Sequence, residues 1–231
     1  LHCTCRRQRQ MCIRDRISWV AERHPGCTVA IGLEAYDDRV LRFHVNKGFT
    51  TKQWHSAVQM LRDNNLRVKT YLLFKPPFMS EGDALVHTTS WLTKVAPYSD
   101  EVSVNPMNIQ KNTIVDRLFR NKEYRPPWLW SLVEMILRSH EHLGDDSCRI
   151  IVHPTAGGKI RGAHNCGECD SEVVAAIERY SVSGDTEEFS HLECSCKSHW
   201  RAEIENDNNF PMPLGFGTFR RGNPTDIVRA P

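Results

Sequence analysis

Four cysteines stand in two close pairs, Cys166-x2-Cys169 and Cys194-x-Cys196, separated by 24 residues. They lie inside Gly162-Ala163-His164-Asn165-Cys166-Gly167-Glu168-Cys169-Asp170 and Glu193-Cys194-Ser195-Cys196. Two thiol pairs brought together by an intervening helix make a tetrahedral thiolate site, because Zn²⁺ takes about four soft ligands at ~2.3 Å. The competing accounts are an auxiliary iron–sulfur cluster on the same thiols, a pair of disulfides, or idle buried thiols. With no secretory leader read ahead of the cluster, a metal is expected in preference to disulfides. The C-x-C half is a less usual spacing than a second C-x2-C, so His164, His191 and His199 stand as alternative ligands.

A second set of candidates sits where apolar runs stop at polar residues: Glu34 after Ile31-Gly32-Leu33, Lys75 after Leu72-Leu73-Phe74, and Asn105 after Val102-Ser103-Val104. Each alone reads as a cap or surface group. An acid, a base and an amide at three equivalent positions instead suggest the carboxyl ends of parallel strands, where the loops of barrel-like α/β folds build active sites. Lys75, between Phe74 and two prolines, needs a partner if buried, because an unpaired ammonium is costly to desolvate. That partner is either an anionic ligand or a strand-end acid such as Glu34.

Tyr124–Trp130 groups two Trp, a Tyr and Arg125 around Pro126-Pro127, a composition able to stack an unpaired base and meet its phosphate. Against this, Trp128, Leu129, Leu132, Val133 and Ile136 continue as a helical stripe, which makes Trp128 a core candidate. Ala156–Gly162 carries Lys159 and Arg161 among glycines, two cations able to approach the phosphate backbone of an RNA. It lacks the spacing of a phosphate-binding P-loop, so a surface loop is the simpler account.

These side chains need a scaffold, and the pattern supplies one. Thr28–Leu33, Val68–Phe74 and Glu101–Val104 read as strands about 35 residues apart, the spacing of βα units. Between them Trp54, Ala57, Val58 and Leu61 recur at helical spacing, as do Ala84, Leu85, Thr88, Trp91, Leu92 and Val95. Asp37-Asp38 and Ser80-x-x-Asp83 supply helix-start signals, and Lys75-Pro76-Pro77 stops its strand. A parallel sheet covered by helices is predicted.

The first sixteen residues show no hydrophobic period and read as a non-native artefact; the alternative is a basic arm for nucleic acid. The choice matters for charge. The whole chain carries 30 Lys and Arg against 28 Asp and Glu, a balance of +2; without five Arg and one Asp it is 25 against 27, or −2. Cys3, Cys5 and Cys12 leave with the segment, and Cys27 and Cys148 read as buried free thiols. No run of about 18 apolar residues suggests a membrane span, and a reducing, cytoplasmic setting is expected. The division expected is a barrel-like unit over 17–145, a cysteine-rich metal module over 146–204, and a weakly ordered tail over 205–231.

Several longer stretches carry a family resemblance. Ile31-Gly32-Leu33-Glu34-Ala35-x2-Asp38-x-Val40-Leu41-x4-Asn46-Lys47-Gly48-Phe49-Thr50 resembles the fourth-strand region of radical S-adenosylmethionine enzymes of the elongator-acetyltransferase and methylthiotransferase type. Tyr71–Phe78, Ser103-Val104-Asn105-Pro106-x2-Ile109-Gln110-x2-Thr113, Tyr124–Ser131 and Gly162–Asp170 together resemble the archaeosine-biosynthesis radical SAM family, in order, from about Ile17 to Trp200. The resemblance implies the later half of a partial (β/α)6 barrel. It implies a [4Fe–4S] cluster that reductively cleaves S-adenosylmethionine, and hydrogen abstraction from a lysine-bearing 7-deazaguanine in tRNA, whose C–N bond then breaks to leave archaeosine. A lysine-transferring archaeosine synthase subunit is the implied partner. Glu34, Lys75, Asn105 and Gln110 are the positions it sets against S-adenosylmethionine or substrate. Radical SAM enzymes hold their cluster with Cys-x3-Cys-x2-Cys, and no three cysteines here have that spacing. The chain therefore reads as a C-terminal fragment in which Thr28–Leu33 is the fourth strand. The alternative is a non-catalytic, zinc-stabilised module binding RNA or a protein.

Overall fold

β-branched and aromatic residues at period two make β2, Arg67–Phe74, a half-buried strand: Val68, Thr70, Leu72 and Phe74 are buried, and the residues between them are not. In the computed structural model, which describes residues 16–143 and 148–209, this strand lies inside a four-stranded parallel sheet in the order β1-β2-β3-β4. Its neighbours are β1, Thr28–Glu34, and β3, Glu101–Pro106, followed by β4, Arg149–Val152. The expected strands are borne out in position, order and direction. β4 was not anticipated, since four residues of Arg-Ile-Ile-Val carry too little pattern to separate a buried strand from a loop. The sheet thus reaches into the segment assigned to the metal module. Most of the two terminal segments singled out in the sequence lies outside the described residues.

Register divides the sheet into two unlike faces. Thr70, Val102 and Ile150 are in line, as are Leu72, Val104 and Val152, and these pack under the helices. On the opposite face Lys69 is beside Glu101, Tyr71 beside Ser103 and Leu73 beside Asn105. That face carries the polar residues of the sheet, together with Leu73 and Ile151.

Parallel strands need crossovers, and helices supply them. Helix α1 spans 16–23 and packs Ile17 and Ala21 on the core. Asp37 caps the short α2, Asp38–Val40, which runs on as a π-helical turn, Leu41–Val45. Thr50 and Gln53 form a reciprocal capping box at the start of α3, Thr51–Asp63, whose Trp54, Val58 and Leu61 are buried. Ser80 caps α4, Glu81–Val95, and the predicted stripe from Ala84 to Val95 is the buried one. α5, Ile114–Arg120, and α6, Leu129–Leu143, precede β4; α7, Asp170–Ser183, and α8, Cys196–Asn209, follow it.

One hydrophobic cluster runs from the sheet through α4 and α6 to Cys169, Val173, Ile177 and Trp200. Trp200 Nε1 donates to Ser131 Oγ at 2.8 Å and Trp128 Nε1 to Glu203 at 2.8 Å, fastening α8 across α6. Among the described residues no helix is long and apolar enough to cross a membrane. Cys27 and Cys148 are free, but half-buried rather than buried.

Candidate metal centre and strand-end site

The turn between Cys166 and Cys169 is shaped by Gly167, whose φ of +97° no L side chain adopts without strain. Asp170 Oδ1 accepts the Asn165 N–H at 2.9 Å and the Gly167 N–H at 3.2 Å, so this acid at the start of α7 fixes the loop holding the first thiol pair. Cys196 opens α8, and Cys194 lies two residues before it. The chain thereby brings four sulfurs together: Cys166 to Cys169 is 4.0 Å, Cys166 to Cys194 3.7 Å and Cys169 to Cys196 3.7 Å, all four lying within 4.8 Å of one another.

A tetrahedron of thiolates about one ion at ~2.3 Å has edges of roughly 3.8 Å, which these separations match. Thiolates of a cubane iron–sulfur cluster each ligate a different iron and stand farther apart, so the geometry suits one mononuclear ion. Cys169 and Cys196 are buried, and burial pushes both thiols up, while the Cys169 and Glu168 backbone N–H groups bring Cys166 down to about 7. A cation is what makes four thiolates tolerable at such separations. Two donors outside the ring support it: Trp130 Nε1 reaches Cys196 Sγ at 3.2 Å, and Asn165 Nδ2 reaches Cys169 Sγ at 3.4 Å. The three histidines held as alternative ligands are not part of the group. His164 Nδ1 pairs with the Gly162 carbonyl and His191 with Glu172.

At the strand ends, Glu34 and Lys75 both leave their strands at positive φ, +72° and +57°. Such conformations are uncommon for non-glycine residues and gather at functional sites. Glu34 follows a bulge in β1 and pairs with Lys47 at 3.0 Å. A Cβ on Gly32 would come within 2.8 Å of Glu34 Oε1, so the glycine is what lets the carboxylate lie over the strand. Lys75, 4% exposed, pairs at 2.7 Å with Glu81 in the first turn of α4, and Glu81 Oε1 also accepts the Trp128 N–H at 2.9 Å. The partner required of a buried Lys75 is thus an acid, but Glu81 rather than Glu34. Asn105 lies half-buried at the end of β3 and Gln110 is exposed in the following loop. Glu34 and Lys75 are each neutralised by a different residue. Between the strands, Ser103 Oγ on the polar face is buried with no hydrogen-bond partner, and Lys69 pairs with Glu101 beside it.

The residues considered for RNA divide sharply. Arg125 donates to the carbonyls of Pro126 and His164, both at 2.9 Å, and its guanidinium lies 3.9 Å over the Trp128 ring, itself 9% exposed. These contacts tie α6 to the cysteine loop, and a base stacked on Trp128 would have to displace them. Arg161 donates to Ile109 O and to Asp116. Lys159 alone of the four is exposed.

Asp116, a partner the sequence did not reveal, is 3% exposed and held down to about 2, first by the Arg161 guanidinium, then by the Asn112 N–H and by Arg120. Its folded value is below the usual 3.8, so its stabilising contribution is complete above about pH 4 and is lost as pH falls toward 2. Asp116→Asn is expected to flatten the dependence of melting temperature on pH between about 4 and 2. An unchanged slope in that window would exclude this carboxylate as the cause.

No family model matches the chain. It is 34% identical over 187 residues to archaeosine synthase subunit beta of Methanosarcina acetivorans, an overlap of 80% of this chain and 54% of that one. With the protein of the same name from Thermococcus kodakarensis the identity is 36% over 195 residues, 84% of this chain and 59% of the relative. The chain is a homologue of archaeosine synthase subunit beta. An uncharacterised protein of Methanocaldococcus jannaschii is 31% identical over 192 residues, covering 81% and 51%. This homologue spans about half the length of the curated archaeosine synthase beta relatives it matches. Its fold resembles that of the Elp3 protein of Methanocaldococcus infernus with an N-terminal deletion, at a TM-score of 0.54 and 15% identity over 74% of this chain and 39% of the other. At that identity the likeness is one of fold alone. It agrees with the expected partial barrel, on which the four-cysteine module is built.

Proposed function

We propose that this chain forms the later part of the barrel and the metal module of a radical S-adenosylmethionine enzyme of tRNA modification, acting in archaeosine biosynthesis. The observation that carries this reading is the 34–36% identity to archaeosine synthase beta subunits across four-fifths of the chain. In this reading the substrate is a lysine-bearing 7-deazaguanine in tRNA, the partner is the lysine-transferring subunit, and the setting is cytoplasmic. S-adenosylmethionine, when bound, supplies the adenosyl group whose radical takes hydrogen from that base.

The polar face of the sheet fits such a ligand. Ser103 Oγ is an orphaned buried hydroxyl there, with Tyr71 of β2 and Ile151 of β4 as its register neighbours and Asn105 two residues on along β3. Lys75 contributes by holding the start of α4 against the strand end through Glu81, rather than by offering a free charge. Cys166, Cys169, Cys194 and Cys196 hold a structural zinc ion. The cluster is another matter. Among the described residues the one grouping of cysteines is the four-thiolate centre, and its separations do not suit a [4Fe–4S] cube with an open iron. No step is therefore assigned through that cluster on these residues.

The test is to extend the chain with the N-terminal half of the Thermococcus kodakarensis relative, reconstitute it with iron, sulfide and a strong reductant, and measure 5′-deoxyadenosine. Release by the extended protein and none by the chain alone is expected. A cluster-loaded extended protein that stays silent would favour the zinc-stabilised binding module, for which the four-thiolate geometry is the supporting observation.

A further inference from the structure

A short excursion between β3 and α6 differs in charge from the rest of the molecule. Its residues 107–128 carry five cations, Lys111, Arg117, Arg120, Lys122 and Arg125, against two acids, Asp116 and Glu123. Beyond residue 16 the chain as a whole is acidic, with 25 Lys and Arg against 27 Asp and Glu. The excursion is therefore a basic outcrop on an acidic body.

It is also held rigid. Ile109, Val115 and Tyr124 form a small core of their own, against which Met107, Leu118 and Phe119 pack. Tyr124 Oη donates to the Lys75 carbonyl at 2.8 Å, the Ile109 N–H to the Arg161 carbonyl at 2.8 Å, and Arg161 to Asp116, so three ties fix the outcrop to the carboxyl end of the sheet. Its cations then separate by role. Arg120 is spent on Asp116. Lys111, Arg117 and Lys122 are exposed and have no ion-pair partner among the described residues. Unpaired cations of one sign on a braced element set up a local positive potential that attracts anions.

Beside Arg117 lies a concavity of about 500 Å³ lined also by Asn112, Thr113, Ile114, Arg120 and Asn121, with Lys111 and Lys122 the next residues in the chain at its two ends. The two amides offer both donors and acceptors, while the Thr113 hydroxyl is taken by the Gln110 carbonyl and the Asp116 N–H, and Ile114, 52% exposed, offers an apolar surface beside them. Cations that meet phosphate, amides that meet sugar and base edges, and an apolar patch for a ribose or base face make an RNA-binding composition.

We propose that the α5 outcrop is a docking surface for the sugar-phosphate backbone of RNA, with Lys111, Arg117 and Lys122 as the phosphate contacts. It rests on the tRNA reading above and locates the contact at the mouth of the sheet, on residues other than Arg125, Trp128 and Arg161, which are committed within the fold. Neutralising the three cations touches no ion pair among the described residues, so the fold survives the change.

The experiment measures binding of unmodified tRNA transcript to the chain by fluorescence anisotropy at several salt concentrations. The variants are Lys111→Gln/Arg117→Gln/Lys122→Gln and, at the opposite ends of the strands, the control Arg67→Gln. The triple variant is expected to melt as the wild type does, to bind at least about tenfold more weakly, and to lose about two to three from the slope of log K against log salt. Arg67→Gln should change neither. Equal binding by the triple variant and the wild type would overturn the outcrop as the docking surface while leaving the tRNA reading intact. A wild-type chain that binds no tRNA at low salt would overturn both.

Discussion

Cys169→Ser is expected to cost the protein its metal and much of its stability. Cys169 is 6% exposed and closes the ring of sulfurs from beneath, with Cys166 at 4.0 Å and Cys196 at 3.7 Å. Serine supplies a hard, protonated hydroxyl where the ion needs a soft anion, and the remaining three thiols are left crowded together, Cys196 buried, Cys194 half-buried and Cys166 exposed. Structural zinc sites are worth about 10–16 kcal/mol of apparent binding free energy in small peptides, and that energy is folding energy because the unfolded chain has no site. Losing one of four ligands forfeits a large part of it. A fall in melting temperature on the order of 10 °C is expected at roughly 2–4 °C per kcal/mol for a chain of this size. Metal analysis should find about one zinc in the wild type and less than half an equivalent in the variant. Cys27→Ser, at a free thiol outside the ring, should change neither quantity. Unaltered metal content and melting in Cys169→Ser would remove the thiolate centre from the account.

Much of this site was legible because its signals are local. Cysteines at C-x2-C and C-x-C spacing can meet one ion whatever the rest of the fold does. Strand β2 could be placed because Val68, Thr70, Leu72 and Phe74 alternate, and α4 because its buried residues recur at helical spacing. What stayed hidden was the choice of partner. Glu81 reads as an ordinary first-turn acid after the Ser80 cap, and nothing local says that it meets Lys75 and the Trp128 N–H, 47 residues on. Trp128 and Glu203 are 75 residues apart and Arg161 and Asp116 are 45 apart. The polar face of the sheet escaped for a related reason. Lys69, Tyr71 and Leu73 look like the outward half of an alternating strand, and only register with Glu101, Ser103 and Asn105 shows that they form a surface.

The Lys75–Glu81 pair offers the second large effect. Both side chains are nearly without solvent, at 5% and 0%, so the charges compensate one another rather than being screened by water. Glu81→Gln keeps an acceptor for the Trp128 N–H but leaves the ammonium uncompensated, a loss of about 3–5 kcal/mol. Lys75→Met leaves the carboxylate uncompensated at a comparable cost. The double variant Lys75→Met/Glu81→Gln removes both charges, keeps the amide acceptor and fills the same volume, so it should be more stable than either single variant. Chemical denaturation at unchanged m-value measures all four proteins, and the coupling between the positions is expected to exceed 2 kcal/mol, roughly the range seen for groups in one buried network. Additive losses would mean that water or a rearranged neighbour relieves each lone charge. The same series separates two roles for Lys75. If the double variant folds and, extended with the N-terminal half of the Thermococcus kodakarensis relative, binds S-adenosylmethionine as the equally extended wild type is proposed to, Lys75 positions α4 against the strand end. If it folds and binding collapses, the ammonium meets the ligand in spite of Glu81.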